Sequence, residues 1–192
     1  MQFPEGWGRR QYPYELETAK NRNDPRKPLS HRPQGQRRPA ERHVNRRFLH
    51  GHLPDAVFAV AVTESREIVL KKEFRYPHHQ DLIEIPGGIF EPGETDSLTV
   101  AKRELLEETG FESDEWTDLG TVIADPGKLT NRLHLWFANN CRRVSEQQLD
   151  ETEIIDVLVI PIEQAIEMVM RNDICCAGTG YAILRVARML GI

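Results

Sequence analysis

From Ala56 onward the chain alternates short apolar runs with polar turns. Val57, Val60 and Val62 anchor a first run over residues 57–62, the polar Glu64-Ser65-Arg66 follows, and Ile68-Val69-Leu70 resumes it. This text predicts a β-hairpin or two neighbouring strands. A third strand over residues 82–85 is stopped by Pro86-Gly87-Gly88. After a Gly/Pro loop through Pro92-Gly93, Leu98, Ala101 and Leu105 recur at helical spacing, which predicts a helix over residues 97–108. Gly110 sits just past its end, where a left-handed cap is expected.

Further strands are predicted over residues 119–124, 133–138 and 154–160. Pro161 then opens a helix carrying Ile162, Ala165, Ile166 and Val169, and a final helix covers residues 181–190. No internal repeat is visible. Strands and helices mix without regular βαβ alternation. The expected class is therefore α/β of the α+β type, a mixed sheet flanked by helices rather than a doubly wound dinucleotide-binding sheet.

Charge divides the chain in two. Residues 1–50 hold twelve Lys+Arg against five Asp+Glu, whereas residues 51–192 hold thirteen against twenty-five. The first segment is rich in Arg, Pro, Asn, Gln and His and poor in β-branched residues, so it cannot bury much apolar surface alone. We read residues 1–50 as a basic extension and residues 51–192 as the folded domain. The arginines of the extension are not interleaved with base-stacking aromatics, so nucleic acid is not an expected partner. Three cysteines, two of them the adjacent Cys175 and Cys176, form no disulfide framework. No basic-then-apolar start and no run of about eighteen apolar residues is present, so the expected location is the cytoplasm, without a membrane span.

The candidate chemistry lies on the first predicted helix. With about 100° of turn per residue, Glu104, Glu107 and Glu108 fall within roughly a 100° arc and share one face. Like charges at i,i+4 cost roughly 0.2–0.5 kcal/mol per pair, and no lysine stands among them on the helix. A hard divalent cation would supply the missing charge. A solvated acidic face is the plain alternative. Two features favour the cation: glycines at 87 and 88 let main chain approach a ligand, and Arg103 can clamp carboxylates with its rigid fork.

The segment from Gly88 through Glu94, Arg103-Glu104, Glu107-Glu108 and Gly110-Phe111 resembles the box of the Nudix hydrolase family. That pattern is Gly, five residues, Glu, seven residues, Arg-Glu-apolar-any-Glu-Glu-any-Gly-apolar. This chain departs from it once: eight residues, Thr95 to Lys102, separate Glu94 from Arg103. The extra residue falls near Asp96, where a longer loop absorbs it without rotating the glutamates; the position it affects is Glu94.

The resemblance implies a Nudix fold and a Mg²⁺ cofactor, with Mn²⁺ as a possible substitute. Glu104 and Glu108 would be direct ligands, Glu107 a ligand to a metal or a water, and the Gly87 carbonyl a further ligand. Arg103 and Glu94 would orient the carboxylates, and Gly88 would lie against the substrate. Such a cation neutralises pyrophosphate oxygens and acidifies a water, whose proton a nearby carboxylate can take. For that general base the sequence leaves Glu153, Glu151 and Glu107 open, with Glu153 preferred.

Outside the box, residues 71–77 and 82–86 resemble the ADP-ribose and nucleoside diphosphate sugar branch, where the position of Arg75 contacts substrate and that of Glu84 lies at the site. This implies hydrolysis of such a compound to a nucleoside monophosphate and a sugar phosphate. Nucleoside triphosphates, dinucleoside polyphosphates and a non-catalytic nucleotide-sensing module remain alternatives. The resemblance also implies a homodimer. His78 and His79 are read as solvated, and Trp116, Trp136 and Phe137 as core.

Overall fold

The structure is a computed structural model that describes residues 51, 53–150 and 153–192. The extension proposed for residues 1–50 lies outside the described residues, as does Glu151.

β1 (Ala56–Thr63) and β2 (Glu67–Arg75) form the expected hairpin, with Arg66 taking the left-handed conformation its turn requires. β3 (Gln80–Glu84), β4 (Gly87–Ile89) and α1 (Ser97–Thr109) follow. Then come β5 (Phe111–Glu112), β6 (Glu115–Ile123), β7 (Arg132–Arg143), β8 (Ile155–Pro161), α2 (Ile162–Met170) and α3 (Ala177–Met189). The strands form one mixed sheet: β1 runs parallel to β7, and every other pairing is antiparallel. Among the described residues no helix is long and apolar enough to cross a membrane.

The period-2 alternation assigns each face. Val60 and Val62 of β1, Ile68 and Leu70 of β2, and Leu133, Leu135 and Phe137 of β7 share a buried cluster with Ile162 and Ala165 of α2 and Ile183 and Val186 of α3. The intervening residues face the other way: Val57 packs with Val100 and Ala101 of α1, and Ala61, Val69 and Ala138 pack with Leu105. The central strands are thus covered on both faces, and each fully buried aliphatic side chain contributes roughly 1.5–3 kcal/mol.

The differences from the expected elements have local causes. The pair Gly87-Gly88, expected to be loop, is strand, because main chain without a side chain can lie against Val57 and Phe58. A Cβ on Gly87 would sit 2.2 Å from the Val57 carbonyl oxygen. α3 begins four residues early because Gly178 and Gly180 mask a helix whose face is held by packing. β2 runs on through Lys71-Lys72-Glu73, charged text that reads poorly as strand but is paired on both sides by β3 and β8.

The extra residue of the box is absorbed at the start of α1. Asp96 caps the helix, its Oδ2 accepting from the Thr99 amide at 2.9 Å and the Thr99 hydroxyl at 2.7 Å. Asp96→Ala is expected to cost about 1 kcal/mol, a fall of roughly 2–4 °C in Tm for a chain of this length. Thermal unfolding by circular dichroism checks it, and an unchanged Tm would remove the cap from the account.

Candidate functional site

β1 and β2 stay paired only near their hairpin, at Ala61↔Val69 and Val62↔Ile68. Beyond it β1 pairs with β4, while β2 continues between β3 and β8. The strands part there, and α1 lays its glutamate face over the opening. The result is a cleft of about 450 Å³. Seven carboxylates line it (Glu73, Glu91, Glu104, Glu107, Glu108, Asp150 and Glu153) against three cations, Lys71, Arg75 and Arg103.

Arg103 is the hub of the outer half. Its Nε and Nη2 donate to the two oxygens of Glu94 at 3.1 and 3.0 Å, and its Nη1 donates to Glu104 at 2.9 Å and Glu107 at 3.0 Å. Nη2 also reaches the Ile89 carbonyl at 3.2 Å. Glu94 therefore meets Arg103 despite the longer spacing, and its carboxyl is held below the usual range chiefly by that hydrogen bond. Gly88 leaves room for Glu104: a Cβ there would fall 2.3 Å from its Oε1.

The inner half is organised around Glu108, which is 3% exposed. Its Oε2 accepts from the Gly87 amide at 2.8 Å and its Oε1 from Lys71 Nζ. Burial pushes the Glu108 carboxyl up to about 7, while Lys71 and the Gly87 N–H pull toward the ionised form. Burial likewise raises Glu104, with Arg103 opposing. For Lys71 burial favours the neutral amine, but Glu108 and Glu73 outweigh it and the ammonium persists. The positive charge that the glutamate face lacks along its own helix thus arrives from Lys71, on a strand, and from Arg103. Among the described residues no three His, Cys, Asp or Glu side chains converge as a metal cage.

Arg75 projects into the same cleft from the end of β2. Its Nε donates to Glu84 at 2.7 Å and its Nη1 to Glu73 at 2.8 Å. Glu84 is not itself part of the lining and holds Arg75 from behind. On the opposite wall, the Gln147 side chain donates to the Glu108 carbonyl at 2.7 Å and the Gln148 amide to the Glu107 carbonyl at 2.7 Å. These bonds satisfy open carbonyls at the end of α1 and bring Asp150 and Glu153 to the cleft. Glu153 Oε2 accepts from the Asp150 amide at 3.0 Å.

Other candidates lie apart. His78 and His79 are exposed, Phe137 is buried, and Trp136 packs on α1 with its indole N–H directed at Ser97 Oγ, 3.2 Å away. Lys71 and Glu73 were missed as site residues. A signal for them exists: in β2 they continue the face of Val69, so two charges stand where core is expected.

The three thiols differ in burial. Burial pushes Cys141 and Cys176 both up to about 12, the second also through the nearby Glu84 carboxylate, and Cys175 is exposed. Iodoacetamide at pH 8 is expected to label Cys175 well before the other two, because alkylation needs thiolate and access. Peptide mass analysis checks it, and equally fast labelling of Cys176 would contradict this geometry.

Comparison with known proteins identifies the family. The profile described as NUDIX domain matches residues 52–174. An ADP-ribose pyrophosphatase of Bacillus subtilis (strain 168) is 35% identical over 131 residues, 68% of this chain and 70% of the relative. A methanol dehydrogenase activator of Bacillus methanolicus is 31% identical over 131 residues, again 68% and 70%. A GDP-mannose pyrophosphatase of Escherichia coli (strain K12) is 29% identical over 120 residues, 58% and 62%. A solved structure described as an ADP compounds hydrolase superposes with a TM-score of 0.63 at 23% identity, covering 71% of this chain and 72% of its own, a likeness of fold. With a single family profile spanning more than half its length and the box completed around one cleft, the chain belongs to the NUDIX domain family and is a Nudix hydrolase.

Proposed function

We propose that the chain hydrolyses the pyrophosphate bond of ADP-ribose or a related nucleoside diphosphate sugar, releasing a nucleoside monophosphate and a sugar phosphate. One observation carries this reading: the carboxylate face of α1 and the guanidinium of Arg75 line the same cleft. An ion-holding wall thus stands beside an anion-holding one. The similarity to an ADP-ribose pyrophosphatase and a GDP-mannose pyrophosphatase supports the substrate class.

Hydrolases of this family generally need a divalent metal ion, and we take it to be Mg²⁺, with Mn²⁺ as a substitute. The donors fit it. All are hard oxygens, carboxylates outnumber cations in the lining, and Glu73 Oε2 is buried without a hydrogen bond. Glu104, Glu107, Glu108 and the Gly87 carbonyl would hold the ion. When bound, it supplies charge neutralisation for the pyrophosphate and a water of lowered pKa.

The chain's own residues do the rest. Arg103 and Glu94 fix Glu104 and Glu107, Gly88 keeps the approach to Glu104 open, and Arg75, steadied by Glu84, takes a phosphate of the substrate. Glu153 accepts the proton of the attacking water as a phosphorus–oxygen bond of the anhydride breaks. We further read the protein as a cytoplasmic homodimer that binds a nucleotide-type small molecule, neither membrane nor nucleic acid. Light scattering at the mass of one chain would overturn the dimer.

The decisive experiment is phosphate-product analysis of the full chain with Mg²⁺ across ADP-ribose, other nucleoside diphosphate sugars, dinucleoside polyphosphates and nucleoside triphosphates. Turnover of the first two classes is expected. Turnover confined to the last two would keep the chemistry and overturn the substrate, and none anywhere would favour a nucleotide-sensing module.

A further inference from the structure

Of the three cations lining the cleft, Lys71 alone has no part in the reaction proposed above. β2 directs Val69, Lys71 and Glu73 toward α1; the first is core, and the second is a lysine only 1% exposed. Its Nζ reaches three oxygens: Glu108 Oε1, the Gly87 carbonyl at 3.3 Å and Glu73 Oε2 at 3.2 Å. A carbonyl and two carboxylates are the ligand types of a hard cation. Two of these residues, Glu108 and Gly87, are the ones assigned above to the divalent ion. The other cations of the cleft are engaged elsewhere, Arg75 on Glu73 and Glu84, Arg103 on Glu94, Glu104 and Glu107.

We propose that Lys71 is a built-in competitor of the divalent cation: ammonium and ion claim the same oxygens of Glu108 and Gly87. Binding of the ion moves Nζ off Glu108 toward Glu73, whose Oε2 lies within ion-pair distance and has no hydrogen bond of its own. Repulsion between the ammonium and a doubly charged ion at contact distance weakens the ion more than tenfold even at high effective dielectric. The free protein therefore holds its ion loosely, and the ion becomes tightly held when the pyrophosphate brings its own negative oxygens. Lys71 acts through Glu108 and is a positioning residue. This inference rests on the reading that the cleft takes a divalent cation.

The test is Mn²⁺ binding to the full chain without substrate, followed by electron paramagnetic resonance of the free ion, in wild type and Lys71→Met. The variant is expected to bind Mn²⁺ at least tenfold more tightly and to gain more in Tm from Mn²⁺ than wild type does. Equal or weaker binding overturns the inference and leaves the proposed function standing, whereas no Mn²⁺ on either form, without substrate or with it, overturns both. Because Lys71→Met leaves Glu108 buried without its partner and can fail to fold, a wild-type measurement runs beside it. In ¹⁵N-lysine-labelled protein the ammonium resonance of Lys71, identified by its loss in Lys71→Arg, is expected to shift on saturation with Mg²⁺. A resonance that stays in place overturns the inference.

Discussion

Glu104→Gln is expected to lower kcat/KM on the preferred substrate by about a thousandfold while leaving the fold intact. Removing the Glu104 charge disturbs the fold less than removing that of the buried Glu108. Its Oε1 takes a single hydrogen bond, from Arg103, and the carbamoyl oxygen of glutamine can still accept it. The change is confined to one charge and one hard oxygen facing the cleft. An ion that polarises phosphoryl oxygens and activates water supplies several kcal/mol at the transition state, and each 1.36 kcal/mol is tenfold in rate. Losing a charged ligand forfeits roughly 4 kcal/mol of that on this scale. Steady-state kinetics beside a circular dichroism spectrum checks it. A loss below about tenfold in a folded variant would remove Glu104 from the ion's ligands.

Glu108→Ala is expected to act on stability as much as on rate. Glu108 is buried, and truncation strips Lys71 of its closest partner and the Gly87 amide of its acceptor together. Breaking a buried ion pair from one side costs about 3–5 kcal/mol, because the remaining charge stays in a medium that solvates it poorly. For a chain of this length each kcal/mol lowers Tm by roughly 2–4 °C. Denaturant unfolding should place Glu108→Ala well below wild type. The double variant Lys71→Met/Glu108→Leu, which removes both charges and fills the space, should recover most of the stability and none of the activity. If the double variant is as unstable as the single one, the penalty comes from lost packing rather than from a stranded ammonium.

The box illustrates how far linear spacing reaches. Glu104, Glu107 and Glu108 share a face because helical pitch is fixed, and the structure places all three on the cleft. Glu94 was the position that the extra residue affected. Its contact with Arg103 survives because Asp96 takes up the added length as the helix cap, so the loop lengthens while the helix keeps its phase. Glu84 shows the opposite limit. The resemblance to the ADP-ribose branch implied a residue at the site, and Glu84 stands behind Arg75, because consecutive strand residues point to opposite faces and only the sheet register decides which neighbour is met.

The sequence by itself determined the elements and the chemistry carried within one segment. The two-residue and 3.6-residue periods of the apolar positions are local properties, and so is the glutamate face with its adjoining arginine. The mixed sheet with helices on both faces followed from the mixture of those elements. Tertiary structure decided what joins segments distant along the chain. Lys71 reaches Glu108 across thirty-seven positions because β2 parts from β1 beneath α1. Glu153 arrives at the cleft because Gln147 and Gln148 satisfy the last carbonyls of α1. A buried carboxylate must find its counter-charge wherever the fold brings one, and no spacing rule along a single element states where that is.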